Sequence, residues 1–407
     1  VHGYFTIFDR MFNLWPRQLL LIKSASHLIP FLLLLFGCVE RYYPDEEEVQ
    51  VGTLVISAHL ADLPGVQSIY LSRSTNLEFP SFDPVTGCYV EVEREGGQGL
   101  EFLETEPGEY AAQMDGSFLK TGDSYRLLVI TPSGAQYESE FETMHPATDI
   151  EGLYFVRKDR PTEDPDFVDE GIQFYIDFEI EKDSARYLRW QLIETYEMHN
   201  PDYNITRMYD VDRRTKDIPD TAAWKTCWIT MEVPEIYTLD LGGVGGTSYR
   251  EMPLHFVSSE TQRLHHRYSL LVRQFSLSEE AFWYWDELGK NIQSKGNLFD
   301  TQPSLTPGNI CNVSDENERI IGFFSISGIS EKRIMVEDVP GLKLRVDPDF
   351  CAPGKLPFSF GRLSSAFLPY YMASSLISGS SELGGVPKRC IDCREYNNSS
   401  HIRPDYW

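Results

Sequence analysis

Basic residues are scarce in this sequence: 36 Lys and Arg stand against 62 Asp and Glu, a formal net charge of −26 over 407 residues. Nucleic acid and anionic lipid surfaces recruit proteins by counterion release onto clustered Lys and Arg, so this composition excludes both as principal partners of the protein surface. Long apolar runs are lacking too. The stretch Leu28-Ile29-Pro30-Phe31-Leu32-Leu33-Leu34-Leu35-Phe36 falls well short of the roughly 20 residues a membrane-crossing helix needs. Catalytic signatures are equally sparse: there is no Gly-x-Ser-x-Gly, no His-Glu-x-x-His and no His-x-His. The glycine-rich run Gly242-Gly243-Val244-Gly245-Gly246-Thr247 lacks the Lys-Ser/Thr of a phosphate loop and precedes a strand pattern, so it reads as a turn. His265 and His266 are adjacent beside a strand and point to opposite faces, which sets them against sharing a metal; His255 lies between Leu254 and Phe256 and reads as a packing or surface residue.

What is present belongs to a folded, strand-rich protein. Hydrophobic residues make up 42% and aromatic residues 13%, enough to bury real cores, and 29 Gly, 24 Pro, 22 Tyr and 24 Phe favour strands and turns over helical bundles. Residues 1–38 have the form of a lipoprotein signal peptide, with Arg17 and Lys23 ahead of the short apolar run and Leu35-Phe36-Gly37-Cys38 at its end. The last four residues are similar to a bacterial lipobox, apart from Phe36, where that motif usually has a small or β-branched residue. Acylation of Cys38 would anchor the chain to a lipid bilayer through several acyl chains, at about 0.8 kcal/mol per buried CH₂. Residues 39–50, with Asp45-Glu46-Glu47-Glu48, read as an acidic tether. Loss of residues 1–38 would leave 33 basic against 61 acidic residues, so the acidity belongs to the folded body.

Beyond the tether the pattern predicts a mainly β protein. Residues 49–145 alternate as a β-sandwich of immunoglobulin-like or transthyretin-like type: Leu54, Ile56, Ala58 and Leu60 share one face, as do Cys88, Val90 and Val92, while Tyr137, Ser139 and Phe141 oppose Glu138, Glu140 and Glu142. Residues 146–346 predict a larger β domain, with Ile172, Phe174, Ile176, Phe178 and Ile180 on one strand face. One helix is expected near residues 277–294, started by a Ser276/Glu279 capping box, packed through Ala281, Trp285, Leu288 and Ile292, and stopped at Lys295-Gly296. Residues 347–407 form an irregular strap that needs disulfides to stay ordered.

Six cysteines remain after Cys38: Cys88, Cys227, Cys311, Cys351, Cys390 and Cys393. In an exported chain this even number allows three disulfides in any of 15 pairings. The Cys390-x-x-Cys393 spacing also fits a redox or zinc motif, although neither a βαβ context nor a second close pair accompanies it. Other candidate sites are thinner. Asp164, Asp166, Asp169 and Glu170 crowd one loop and offer hard oxygen ligands for Ca²⁺, without the residue order of a calcium loop. Asp183-Ser184-Ala185 and Asp220-Thr221-Ala222 are similar to short O-glycosylation acceptors, at Ser184 and Thr221. Trp283, Tyr284 and Trp285 are the densest aromatic cluster; on a helix two of them can face a core while one projects towards a ligand or partner.

Several of these features together resemble one family. The Cys38 lipobox, Glu106-Pro107-Gly108-Glu109-Tyr110, the helix Leu277-Ser278-Glu279-Glu280-Ala281-Phe282-Trp283-Tyr284-Trp285, Gly296-Asn297-Leu298-Phe299-Asp300, and the ending Cys390-Ile391-Asp392-Cys393-Arg394 with Arg403-Pro404-Asp405-Tyr406-Trp407 resemble the Bacteroidota outer-membrane lipoprotein family known as domain of unknown function 4249. That resemblance implies a lipid-anchored protein of the outer membrane, exposed at the cell surface or facing the periplasm, beside a TonB-dependent transporter, and the leading expectation is a non-enzymatic accessory or ligand-binding component. The resemblance implies no reaction and supplies no catalytic residues to carry over; no cofactor is expected other than the Ca²⁺ that the loop carboxylates could hold. The alternatives from other classes are a structural or adhesive envelope protein and a glycan- or peptide-active enzyme.

Overall fold

Alternating apolar residues specify strands, and in the computed structural model nearly every such run forms one. The structure describes residues 51–76, 81–180, 186–200, 203–217, 224–242, 247–293, 306–344, 351, 354–355, 364–365, 368–375 and 383–407. Cys38, the tether at 39–50, Ser184, Thr221, Gly243 to Gly246 and Lys295-Gly296 lie outside the described residues. No helix among those described is long and apolar enough to cross a membrane.

The first core is a β-sandwich. It is built from β1 (Leu54–Ala61), β2 (Gly65–Arg73), β3 (Asp83–Pro84), β4 (Tyr89–Arg94), β5 (Gln98–Glu106), β6 (Glu109–Met114), β7 (Ser124–Ile130), β8 (Gln136–Ser139) and β9 (Glu142–Thr143). Leu54, Ile56, Ala58 and Leu60 are all buried there, with Val90 and Val92 facing them from the other leaf. β5 turns the corner between the leaves: Gln98 to Phe102 pair with β4, and Leu103 to Glu106 pair with β6 across a bulge.

The second core follows from β10 (Ile150–Pro161), β11 (Val168–Glu179), β12 (Tyr187–His199), β13 (Tyr203–Tyr209), β14 (Thr215–Asp217), β15 (Thr226–Glu232), β16 (Tyr237–Asp240), β17 (Ser248–Ser258) and β18 (Tyr268–Leu277). The sheet β10-β11-β17 lays Ile172, Phe174, Ile176 and Phe178 against Leu188, Trp190, Leu192, Tyr268, Leu270 and Val272 of β12 and β18. After helix α1 (Glu279–Gln293) come β19 (Ile310–Asn312) and the long β20 (Ile320–Val336).

β20 serves both cores. Ile320 to Ser327 run parallel to β1, and Gly328 to Val336 run antiparallel to β18. Phe324 and Ile326 therefore fill the first core and Val336 the second, and the first core draws on residues far beyond 145. At the handover a Cβ on Gly328 would lie 2.4 Å from the His145 carbonyl oxygen and 2.5 Å from the Ala147 nitrogen, so the position requires glycine.

Residues 347–407 contain more strand than their composition suggests: β21 (Gly354–Lys355), β22 (Tyr370–Ser375) and β23 (Leu383–Val386) join β13 and β14 in a sheet, and β24 (Ser399–Ser400) pairs with β15. Of the three disulfides that six cysteines allow, two form, Cys227–Cys393 and Cys351–Cys390. Cys88 and Cys311 are free thiols, and burial pushes the Cys88 thiol up. The two cysteines of the CxxC spacing each take a distant partner. Beyond Cys393, Tyr406 lies over the Arg333 guanidinium at 3.6 Å, its hydroxyl is 2.9 Å from Thr195 Oγ1, and the Trp407 indole donates to Glu197 at 2.8 Å.

Candidate functional site

Helix α1 is where buried charge, cavities and exposed aromatic surface come together. Its start differs from the expected capping box. β18 continues through Leu277, with Ser276 still paired to Leu188 and Gly328, so the cap falls two residues later: Ser278 Oγ accepts from the Ala281 amide at 3.1 Å. Ala281 and Trp285 are buried and Leu288 is partly buried, whereas Ile292, the last residue of the expected stripe, is exposed.

The same cap explains a reversal in the first core. Alternation places Phe141 inward and Glu142 outward, yet β8 ends at Ser139 and the chain re-enters as β9 in the opposite phase. Phe141 is 46% exposed and Glu142 only 5%. The Ser278 hydroxyl donates to Glu142 Oε2 at 2.6 Å and Asn309 Nδ2 to Oε1 at 3.2 Å. Asn309 also clips β20, donating to the Phe324 carbonyl at 2.9 Å and accepting from the Phe324 amide at 2.8 Å. Burial is the main reason the Glu142 carboxyl rises to about 7, with the charges of Glu280 and Glu140 adding to it against the two hydrogen bonds. A cleft of about 500 Å³ opens beside it, lined by His145, Arg186, Tyr187, Glu279 and Glu280. Glu142 thus has the titration of a general acid or base. The hydroxyl it touches, however, is committed to the helix cap.

On the flank of α1 lies a second cavity, of about 240 Å³, between the helix and the β12–β15 edge. Arg189 forms its floor. It alternates with Leu188 and Trp190, which face the second core, and so lies under α1, 8% exposed, with its guanidinium carbon 3.6 Å from the centre of the Trp285 ring and 5.2 Å from that of Phe275. His59 also stands against Trp285, 4.6 Å away ring to ring, its Nδ1 3.0 Å from Ser325 Oγ. Burial, then the Arg189 charge, takes the His59 imidazole down to about 3, so the ring is neutral and the positive charge here is Arg189.

The three aromatic neighbours divide as helical geometry demands. Trp285 is buried, Tyr284 stacks on Phe323 at 4.9 Å, and Trp283 projects, 48% exposed, touching Phe282 edge-on.

The other candidate residues do not converge. Asp164 folds back on its own turn, accepting from the Asp166 amide at 3.0 Å; Asp169 accepts from Ser258 Oγ; Glu170 pairs with Arg157 at 3.1 Å. Among the described residues no group of His, Cys, Asp and Glu is arranged to hold a metal. His266 stacks on His199 at 3.7 Å, and His199 Nε2 lies 2.6 Å from Glu197. His255 belongs to a buried polar cluster that alternation alone does not indicate. Glu194 in β12, 3% exposed, accepts from the Tyr268 hydroxyl at 2.9 Å and from Arg263 at 3.2 Å, with His255 Nε2 3.8 Å away. Against its burial, which pushes it up, these partners hold the Glu194 carboxyl below its ordinary value. That cluster pins β12 to β17 and β18 and opens onto no cavity described above.

No curated protein matches the chain. The family described as domain of unknown function 4249 matches residues 39–333, well over half of the sequence, and the chain belongs to that family.

Proposed function

We propose that the protein is a non-enzymatic binding component of the outer membrane, anchored through acylated Cys38 and working beside a TonB-dependent transporter, with the outer face of α1 as its contact surface. The observation that carries this reading is Trp283. A helix whose neighbouring aromatics are buried or stacked holds one indole 48% exposed. Large rigid aromatics of this kind serve as anchors at interfaces because they bury much area at little entropic cost. The signal sequence ending at Cys38, the acidic tether and the family membership are consistent with presentation of this surface outside the bilayer.

Purification from gently solubilised membranes tests the reading. A stoichiometric β-barrel transporter should accompany the wild-type protein and be lost or strongly reduced with Trp283→Ala, while metabolic labelling with a fatty-acid analogue should mark the wild type and not Cys38→Ala. No barrel with either protein would favour a structural or adhesive envelope role; turnover of glycans or peptides would favour an enzyme.

A further inference from the structure

Six arginines other than Arg189 lie over aromatic rings among the described residues, and each is also held by a hydrogen bond: Arg126 to Glu93 and Glu138, Arg160 to Gln173, Arg186 to Asp240, Arg267 to Glu337, Arg333 to Ser269 and Arg394 to Asp392. Arg189 differs. It is the most buried of these side chains, its Nε has no hydrogen-bond partner, and among the described residues its guanidinium makes neither a hydrogen bond nor an ion pair. Burial brings it down to about 10, which leaves it charged at neutral pH. A buried, unpaired cation is strongly unfavourable, and the face of an indole returns only part of the lost hydration. The unmet requirement is an anion.

The cavity over Arg189 specifies which kind. Its walls are Trp285, Leu288, Ile292 and Ile236, all apolar, and its volume of about 240 Å³ suits a small molecule. Glu232 and Glu235 also line it, and the Glu232 charge acts on Arg189 without pairing with it. Two acidic residues beside a single arginine disfavour a dianion and select a monoanion. A planar guanidinium with free N–H groups matches the two oxygens of a carboxylate.

We propose that the cavity between α1 and the β12–β15 edge is a binding site for a small organic monocarboxylate with an apolar body, the carboxylate held by Arg189 and the body packed on Trp285, Leu288 and Ile292. The site gives the ligand-binding reading above a ligand class and rests on it. Its test does not depend on the transporter, since it needs only the purified full-length chain in detergent.

The probes are phenylacetate, its neutral isostere phenylacetamide, and inorganic phosphate, titrated calorimetrically. Phenylacetate should saturate at one site per chain, with phenylacetamide and phosphate weaker by roughly tenfold or more, the scale of a lost charge-assisted pair. Arg189→Gln should lose that preference for the acid over the amide, and Arg189→Lys should keep part of it. Equal affinity for acid and amide in the wild-type chain, phosphate binding as tightly as phenylacetate, or no saturable phenylacetate binding up to roughly 10 mM would overturn the proposal. Should Arg189→Gln fail to fold, the wild-type comparison of acid with amide still decides. Failure of these titrations alongside a co-purifying barrel would remove the ligand class and leave the accessory role standing.

Discussion

Removing the charge of Glu142 should stabilise this protein, and by more as the pH rises. In the native state the carboxyl titrates at about 7, whereas in the unfolded chain it returns to the ordinary carboxylate value near 4.5. Between those values the native protein holds a proton that the unfolded chain has released. Stability from this site is therefore fully present below the unfolded value and is lost as the pH rises through 7. A shift of about 2.5 pKa units at 1.36 kcal/mol each gives about 3 kcal/mol in all, of which about 2.5 kcal/mol falls between pH 5 and pH 8. Glu142→Gln keeps the volume and the polar contacts with Ser278 and Asn309 while removing the titration. Urea unfolding of both proteins at several pH values isolates the site, because the other titrating groups cancel in the difference between them. The variant should gain about 2.5 kcal/mol on the wild type between pH 5 and pH 8. Parallel pH profiles would refute the reasoning, and would mean that water or the α1 amides compensate the charge better than its burial suggests.

How much of this was legible follows from what alternation can report. It places a side chain on one of two faces and is silent about what covers the other. Leu54, Ile56, Ala58 and Leu60, or Ile172 to Phe178, could be read because their covered face is the apolar one. Arg189 could not: its phase marks it as outward-facing, and its burial depends on α1, almost 100 residues later, lying across that face. Glu142 escaped because the short break after Ser139 resets the phase, and Ser278 because two further residues of strand pairing hold Ser276 in β18. The joining of two cores by β20 is likewise a matter of pairing with β1 some 260 residues away, which no local window contains. The division of labour among Trp283, Tyr284 and Trp285 was readable in kind, since adjacent helical positions cannot all face one core. The cysteine count allowed three bridges, but thiol pairing depends on approach in space, and Cys88 and Cys311 find no partner.

Three further perturbations probe these features. Arg263→Ala should destabilise by about 3 kcal/mol in chemical denaturation, because it strips the buried Glu194 of its cation while leaving the Tyr268 hydroxyl in place. Glu194 is held below its ordinary value, so its contribution is present above that value and lost as the pH falls, opposite in sign to Glu142, and the loss from Arg263→Ala should shrink in acid. Gly328→Ala should cost at least 1–3 kcal/mol, since the added Cβ meets backbone at 2.4 and 2.5 Å; a neutral effect would show that the two halves of β20 can separate from residues 145–147 at no cost. The two disulfides rank one another. Cys227–Cys393 spans 166 residues and Cys351–Cys390 spans 39, so loss of unfolded-chain restraint alone predicts about 5 and about 4 kcal/mol for the paired Cys→Ala variants. If native packing decides instead, the gap should widen, because Cys227 and Cys393 are both wholly buried against Met198 and Ile229, where two lost sulfurs leave a void, while Cys351 retains some exposure. A larger loss on removing Cys351–Cys390 would contradict both accounts and locate the decisive restraint in the β13–β22–β23 sheet that this bridge adjoins.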